Sequence, residues 1–179
     1  LLVADASRVG PFITNAGRAR IQGFELETNV APGDGWRLNA SLGLTDAKFK
    51  KLIGDVQGLT LDSKFVLVSK WTASASIEKD FELGDLGSIT PHGDWTYRSG
   101  FFTNANGINT PELYQPGYSV FNANIRWQDS RKIYSFSVGI DNIANNKYRI
   151  FGDYQASFGF YMQAYDRGRQ YYAKAGFSF

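Results

Sequence analysis

From Gly168 to Phe179 the polar and apolar positions alternate without a slip. Arg169, Tyr171, Ala173, Ala175, Phe177 and Phe179 share one parity, and Gln170, Tyr172, Lys174, Gly176 and Ser178 share the other. Successive side chains of a strand point to opposite faces, so this pattern predicts a strand with one mostly apolar and one mostly polar face. The same period recurs upstream. Leu38, Ala40, Leu42 and Leu44 oppose Arg37, Asn39, Ser41 and Gly43, and Trp71, Ala73, Ala75 and Ile77 oppose Thr72, Ser74, Ser76 and Glu78. Ile89, Trp95 and Tyr97 oppose Thr90, His92, Asp94, Thr96 and Arg98, while Phe121, Ala123, Ile125 and Trp127 oppose Asn122, Asn124, Arg126 and Gln128. Seven full strands are predicted, at about 18–30, 36–49, 71–81, 88–102, 118–128, 134–145 and 167–179, with residues 1–4 as the stub of another.

The connections sort by length. Residues 32–35 (Pro-Gly-Asp-Gly), 84–87 (Gly-Asp-Leu-Gly) and 129–132 (Asp-Ser-Arg-Lys) are short turns, and between them lie long connections at 5–16, 50–69, 103–116 and 149–166. A meander with every second connection short gathers its short turns at one end. Transmembrane barrels show that asymmetry, whereas both ends of a soluble sandwich meet the same solvent. Aromatic residues also gather at the two ends: Trp36, Trp127, Tyr134 and Phe179 near the short turns, and Phe49, Tyr97, Phe101, Tyr118 and Tyr148 near the long connections. Such rings favour membrane interfaces, with the ring half buried and the polar tip wet. The expected fold is all-β, an antiparallel meander of transmembrane strands. Around Gly23 the apolar parity passes from Ala19 and Ile21 to Phe24 and Leu26, which predicts either a bulge or a stretch outside the membrane.

Composition narrows the function classes. Hydrophobic residues make up 43% of the chain, and no run approaches the roughly 18 apolar residues of a membrane-spanning helix. A mean hydropathy of −0.30 suits a barrel, whose strands alternate, as well as a soluble protein. The 14 Phe, 10 Tyr and 19 Gly favour strands and turns. The chain has no Cys, so disulfides and Cys-based zinc sites are excluded. A net charge of +2 without a basic run gives no reason to expect a nucleic-acid partner. His92 is the only His, so a Ser-His-Asp triad would have to use it; its place on the polar parity marks it as a wall residue. Glu25 and Glu27 share a strand face, but adjacency does not supply the opposed geometry of a glycosidase pair. Neither catalysis nor a bound cofactor is expected.

Several segments resemble, in order, the C-terminal third of TonB-dependent outer-membrane receptors. They are residues 15–27 (Asn-Ala-Gly-Arg-Ala-Arg-Ile-Gln-Gly-Phe-Glu-Leu-Glu), 38–49 (Leu-Asn-Ala-Ser-Leu-Gly-Leu-Thr-Asp-Ala-Lys-Phe), 116–125 (Pro-Gly-Tyr-Ser-Val-Phe-Asn-Ala-Asn-Ile) and 139–148 (Gly-Ile-Asp-Asn-Ile-Ala-Asn-Asn-Lys-Tyr). Residues 166–169 (Asp-Arg-Gly-Arg) and the final strand complete the series. The family's plug domain, signal peptide and coupling box have no counterpart in the chain. A plugged transporter barrel has about 22 strands. Residues 1–4 would cover only about 13 Å at roughly 3.3 Å each, against a hydrocarbon core of about 30 Å. The expectation is one segment, 1–179, forming the C-terminal part of a large barrel, with two unpaired edges that oppose insertion of the segment alone.

The resemblance implies an active-transport receptor of the Gram-negative outer membrane, taking up a scarce ligand such as a siderophore–iron complex. Its partners would be outer-membrane lipid, the small-molecule metal chelate, the TonB energy-coupling complex through the N-terminal part, and the barrel-assembly machinery. Candidate lumen-facing residues are Arg37, Asp94, Arg98, Asn122, Asn124, Arg126, Asp141 and Lys174. Candidate ligand loops are 50–69 and 149–166, the latter with Phe151, Tyr154, Phe158, Phe160, Tyr161 and Tyr165, unless part of that segment continues the strands above the membrane. Tyr171, Phe177 and Phe179 form the implied C-terminal assembly signal. A passive porin-type channel and a soluble β-sandwich binding module are the alternative readings.

Overall fold

The computed structural model describes residues 2–3, 12–13, 17–53, 59–104, 110–155 and 157–179. Its main sheet is built from β1 (Gly17–Gly33), β2 (Trp36–Leu52), β3 (Trp71–Lys79), β4 (Ser88–Arg98), β5 (Tyr118–Gln128) and β6 (Tyr134–Asp141). A hairpin of β7 (Arg149–Gln155) and β8 (Phe160–Tyr165) then intervenes before β9 (Gln170–Phe177) returns beside β6. The strand order is β9-β6-β5-β4-β3-β2-β1, antiparallel throughout, and Phe81–Glu82 extends the β3 side along β4. Among the described residues β1 and β9 each have one neighbour in this sheet. The predicted stub is represented by Leu2–Val3, which pairs with Phe12–Ile13 rather than with the sheet; the rest of the connection at 5–16 lies outside the described residues.

Registry aligns the alternation of every strand. Ile125 lies between Pro91 and Val138, Ala75 between Ala40 and Trp95, and Phe136 between Trp127 and Ala175. One face is thus continuously apolar, yet it is uncovered: Ile125 is 51% and Phe136 48% exposed. Among the described residues no second layer of protein covers this face, the arrangement of a barrel wall that turns its apolar side to lipid. On β2 the apolar run from Trp36 to Leu44 covers about 26 Å at roughly 3.3 Å per residue, the scale of a barrel's apolar band. The strand continues eight residues beyond it, to Leu52.

The short turns follow local chemistry. Asp34 and Gly35 both take positive φ, 50° and 76°, the requirement of the tight hairpin turn that Asp-Gly favours. In the third turn the Asp129 carboxylate accepts the Tyr134 amide at 2.6 Å, and Lys132 N–H reaches the Asp129 carbonyl at 3.0 Å. Trp127 donates its indole N–H to the Leu86 carbonyl at 2.9 Å, satisfying the polar tip of a turn-end ring.

Several sequence expectations need correction. No register shift occurs at Gly23, which faces Thr45; the shifts lie at Arg18/Ala19 and Val30/Gly33. The parity changes because the face that carries Phe24 and Leu26 leaves the apolar band and continues as Gln22 and Arg20. The strand expected over 88–102 ends at Arg98. Ser99 N–H bonds the Trp71 carbonyl at 2.9 Å, and Phe101–Phe102 turns away to pair with Tyr114–Gln115. The strand expected over 134–145 stops at Asp141, because Asn142 and Asn145 adopt φ of 54° and 55°, a left-handed conformation that Asn tolerates. The loop-end girdle also differs. Phe49 and Tyr118 lie on the polar parity and stack on Phe65 and Tyr148, at 4.3 and 4.1 Å. Phe24 and Trp71, meeting edge to face at 6.1 Å, occupy the apolar side there instead.

Candidate functional site

The polar face carries a chain of contacts running from the turn end toward the loop end. Arg37, on β2, reaches Glu78 through Nε at 2.7 Å and Asp80 through Nη1 at 2.7 Å. Thr90 donates to the second Asp80 oxygen at 2.6 Å. His92 lies between two carboxylates, 3.3 Å from Glu78 and 3.4 Å from Asp94. Asn122 then donates to Asp94 at 2.7 Å and accepts the Asn142 amide at 2.8 Å. Strand registry explains the sequence of partners, for Arg37, Glu78, His92 and Asn124 fall in one cross-strand row, and Asn39, Ser76, Asp94 and Asn122 in the next.

Of the predicted wall residues, Arg37, Asp94 and Asn122 are joined through Glu78 and His92. Asn124 lies beside His92 in register, and Arg126 beside Thr90. Arg98 instead donates to the Leu67 carbonyl at 3.0 Å and covers the Phe101 ring at 4.5 Å. Lys174 sits apart, over the Tyr172 ring at 4.7 Å. Glu78 and Asp80 were missed as wall partners, although the parity of Glu78 was visible. Asp80 lies just past the observed end of β3, though inside the strand expected over 71–81 and on the parity of Glu78. No three metal-ligating side chains converge among the described residues.

At the loop end the wall opens into a cleft of about 590 Å³, whose lining includes Arg98, Tyr118, Asp141, Tyr148, Asp166 and Arg167. The asparagines of the 139–148 segment build it. Asn142 donates to the Asn146 carbonyl at 2.7 Å and accepts its amide at 3.0 Å, while Asn146 also donates to the Ser119 carbonyl at 2.7 Å. Asn145 accepts the Arg169 amide at 3.0 Å. These side chains tie β5, β6 and the entry to β9 together, and set Tyr148 flat against Tyr118 with the planes 9° apart.

Burial, followed by a hydrogen bond to Asp166, pushes the Tyr148 phenol from 10.0 up to about 12. Below about pH 10 both folded and unfolded chains keep this proton. As pH rises from about 10 to about 12 the unfolded chain releases it first, so the contribution to stability is lost across that window. A difference titration of the full-length protein against its Tyr148→Phe variant should show one phenol with a midpoint near 12. An ordinary midpoint near 10 would contradict the buried contact.

The long connections pack on one another. Leu113 is 0% and Phe101 4% exposed, the buried hydrophobic residues of the described chain. Thr103 contacts the Leu113 carbonyl through both its amide and its hydroxyl, at 3.0 and 2.9 Å. Arg149 fastens the β7–β8 hairpin to this unit: its amide donates to the Gln115 side chain at 2.7 Å and its guanidinium to the Tyr114 carbonyl at 2.7 Å. Residues 149–165, expected as a ligand loop or as continued strand, therefore form a seated hairpin. Tyr154 faces Tyr161 across it, with ring centroids 4.8 Å apart, and Tyr165 shares that side. Phe151 and Phe160 lie on the opposite side, and Phe158 sits at the tip, 76% exposed. The six aromatics are thus divided between two faces and a tip.

An open antiparallel meander with an uncovered apolar face, a charged and hydrogen-bonded opposite face and a packed loop layer at one end defines a section of a large transmembrane β-barrel wall. The TonB dependent receptor-like, beta-barrel family model matches residues 1–143, and the chain belongs to that family. Solved receptors share the fold. The ferric yersiniabactin uptake receptor FyuA from Yersinia pestis aligns with a TM-score of 0.74 at 20% identity, over 90% of this chain and 24% of its own. BauA, the ferric preacinetobactin receptor from Acinetobacter baumannii, gives 0.69 at 22% identity, over 98% and 25%. The ferric-catecholate import receptor Fiu from Escherichia coli K12 gives 0.64 at 15% identity, over 96% and 22%. The chain spans about a quarter of the length of the receptors it matches. No curated protein matches it in sequence.

Proposed function

We propose that the chain is the C-terminal wall segment of an outer-membrane receptor that takes up a metal chelate, such as a siderophore–iron complex, with energy delivered through TonB to the N-terminal part of the receptor. The carrying observation is the polar face, which leads from an ion-paired turn end to a tyrosine-rich cleft beneath a packed loop layer. In this reading Arg37, Asp94, Arg98, Asn122, Asn124, Arg126, Asp141 and Lys174 face the lumen. Tyr154, Tyr161 and Tyr165 line one side of the outer hairpin, and Phe151, Phe158 and Phe160 offer apolar contacts on its other side and tip. The apolar face meets outer-membrane lipid. Tyr171, Phe177 and Phe179 present the assembly signal to the barrel-assembly machinery, with Phe177 packed between Tyr134 and Phe179 at 5.5 and 6.0 Å.

The test is uptake of radioactive iron, supplied as ferric citrate or as a ferric catecholate, by cells carrying or lacking the full-length receptor. Receptor-dependent, saturable uptake that stops when the proton-motive force is dissipated is the expected result. Uptake that persists without that force would favour a passive channel and overturn the energy-coupled reading.

A further inference from the structure

Leu67, in the connection that precedes β3, has a φ of 59°. A side chain of that size seldom enters this left-handed region, because Cβ crowds the backbone there. Two residues on, Ser69 is 6% exposed, and its hydroxyl has no hydrogen-bond partner among the described residues. A strained φ and an orphaned buried hydroxyl both cost free energy. Segment 67–69 is therefore held in this shape by its surroundings.

The holding contacts can be named. Leu67 N–H donates to the Phe102 carbonyl at 2.8 Å, beside a parallel bridge between Val66 and Phe102. Downstream, the Lys70 carbonyl accepts the Thr45 N–H of β2 at 2.9 Å. On the remaining side Arg98 Nη2 donates to the Leu67 carbonyl at 3.0 Å, with the guanidinium 4.5 Å over the buried Phe101 ring. Arg98 also lines the loop-end cleft with Tyr118, Tyr148 and Arg167, close enough to the Tyr148 phenol to act on its charge. One side chain thus serves both the cleft and the strained segment. A carboxylate or phenolate in the cleft would offer the guanidinium a charged acceptor that fits its planar fork better than one carbonyl oxygen does.

We propose that Arg98 is a ligand-sensing latch: an anionic group entering the cleft draws the guanidinium off the Leu67 carbonyl, and segment 67–69 relaxes out of its left-handed turn and away from Phe102. The two states are the strained segment with Arg98 engaged and the relaxed segment with Arg98 on the ligand. An anion binds the second state better because only there is the guanidinium free, which is the differential affinity that a population shift requires. The latch selects chelates that keep an anionic oxygen exposed. It deepens the reading of this cleft as the uptake site and rests on that reading.

The experiment follows amide hydrogen exchange at Leu67 in the purified full-length receptor, in nonionic detergent, by mass spectrometry. Because the competition depends on charge, millimolar citrate serves as the probe. Citrate should speed exchange at Leu67 about tenfold in the parent, the effect of losing a hydrogen bond to a charged group. Sodium chloride at equal ionic strength should leave it unchanged. Arg98→Gln should exchange fast from the start and ignore citrate. Leu67→Asn supplies a residue that tolerates positive φ, and the half-exposed Leu67 side chain gives up little packing, so this variant should exchange slowly with citrate or without it. A parent whose Leu67 amide ignores citrate overturns the latch, as does an equal response to chloride or an equal citrate response in Arg98→Gln. Heat-modifiable migration on gels shows that each variant has folded. The uptake assay keeps the two readings distinct: release of Leu67 by citrate in a receptor that takes up no iron chelate overturns the uptake reading, whereas uptake with Leu67 indifferent to citrate overturns the latch alone.

Discussion

Replacing Ala123 by Arg should prevent the full-length receptor from assembling in the membrane, while the same replacement one residue later, at Asn124, should be tolerated. Ala123 lies mid-strand on β5, between Gly93 of β4 and Ile140 of β6, with Phe121 and Ile125 on the same face. A guanidinium there would lose its hydration to hydrocarbon, at a cost of about 2–4 kcal/mol near the bilayer midplane. That is a large share of the 5–15 kcal/mol typical of a folded domain. Asn124 points the other way, between His92 and Gly139, onto a face that already carries Glu78 and Asp94. An added cation on that face stays hydrated and finds carboxylates nearby. Outer-membrane levels of the two variants, together with their urea midpoints after refolding into lipid vesicles, measure the difference. Equal losses would reverse the facing of the sheet.

That contrast is available because side-chain parity is a local property. Five of the seven main-sheet strands could be read from period-two alternation, and Asp34-Gly35 announced its own turn. What failed was long-range. At Gly23 a bulge and an exit from the membrane leave the same mark on one strand, and only its register with Thr45 separates them. The end of β4 depends on Ser99 meeting Trp71, twenty-eight residues away. Parity placed Arg37 and Asp94 on one face, but it could not show that Glu78 and His92 stand between them. The 139–148 segment was visible as a family resemblance. Its physical basis, three asparagine side chains closing one turn and joining three strands, emerged only from the fold.

The loop layer yields the second large effect. Gly152 of β7 is buried, and a side chain there would put its Cβ 2.4 Å from the Thr103 hydroxyl and 2.9 Å from a Leu113 methyl. Gly152→Leu should therefore lever the β7–β8 hairpin off the 99–116 connection without touching any strand of the main sheet. Leu113→Ala attacks the same contact from below, and emptying so buried a site costs about 2–5 kcal/mol. The two substitutions should act in one direction: the barrel still assembles and still migrates as a heat-modifiable band, but protease added to intact cells now cuts within the loop layer. Deuterium exchange at the Thr103 and Leu113 amides, both hydrogen-bonded in the parent, should accelerate in both variants. If iron-chelate uptake falls alongside that exposure, the seated hairpin is part of the binding surface. If the amides stay protected in Gly152→Leu, the hairpin is not held where Arg149, Gly152 and Leu113 place it.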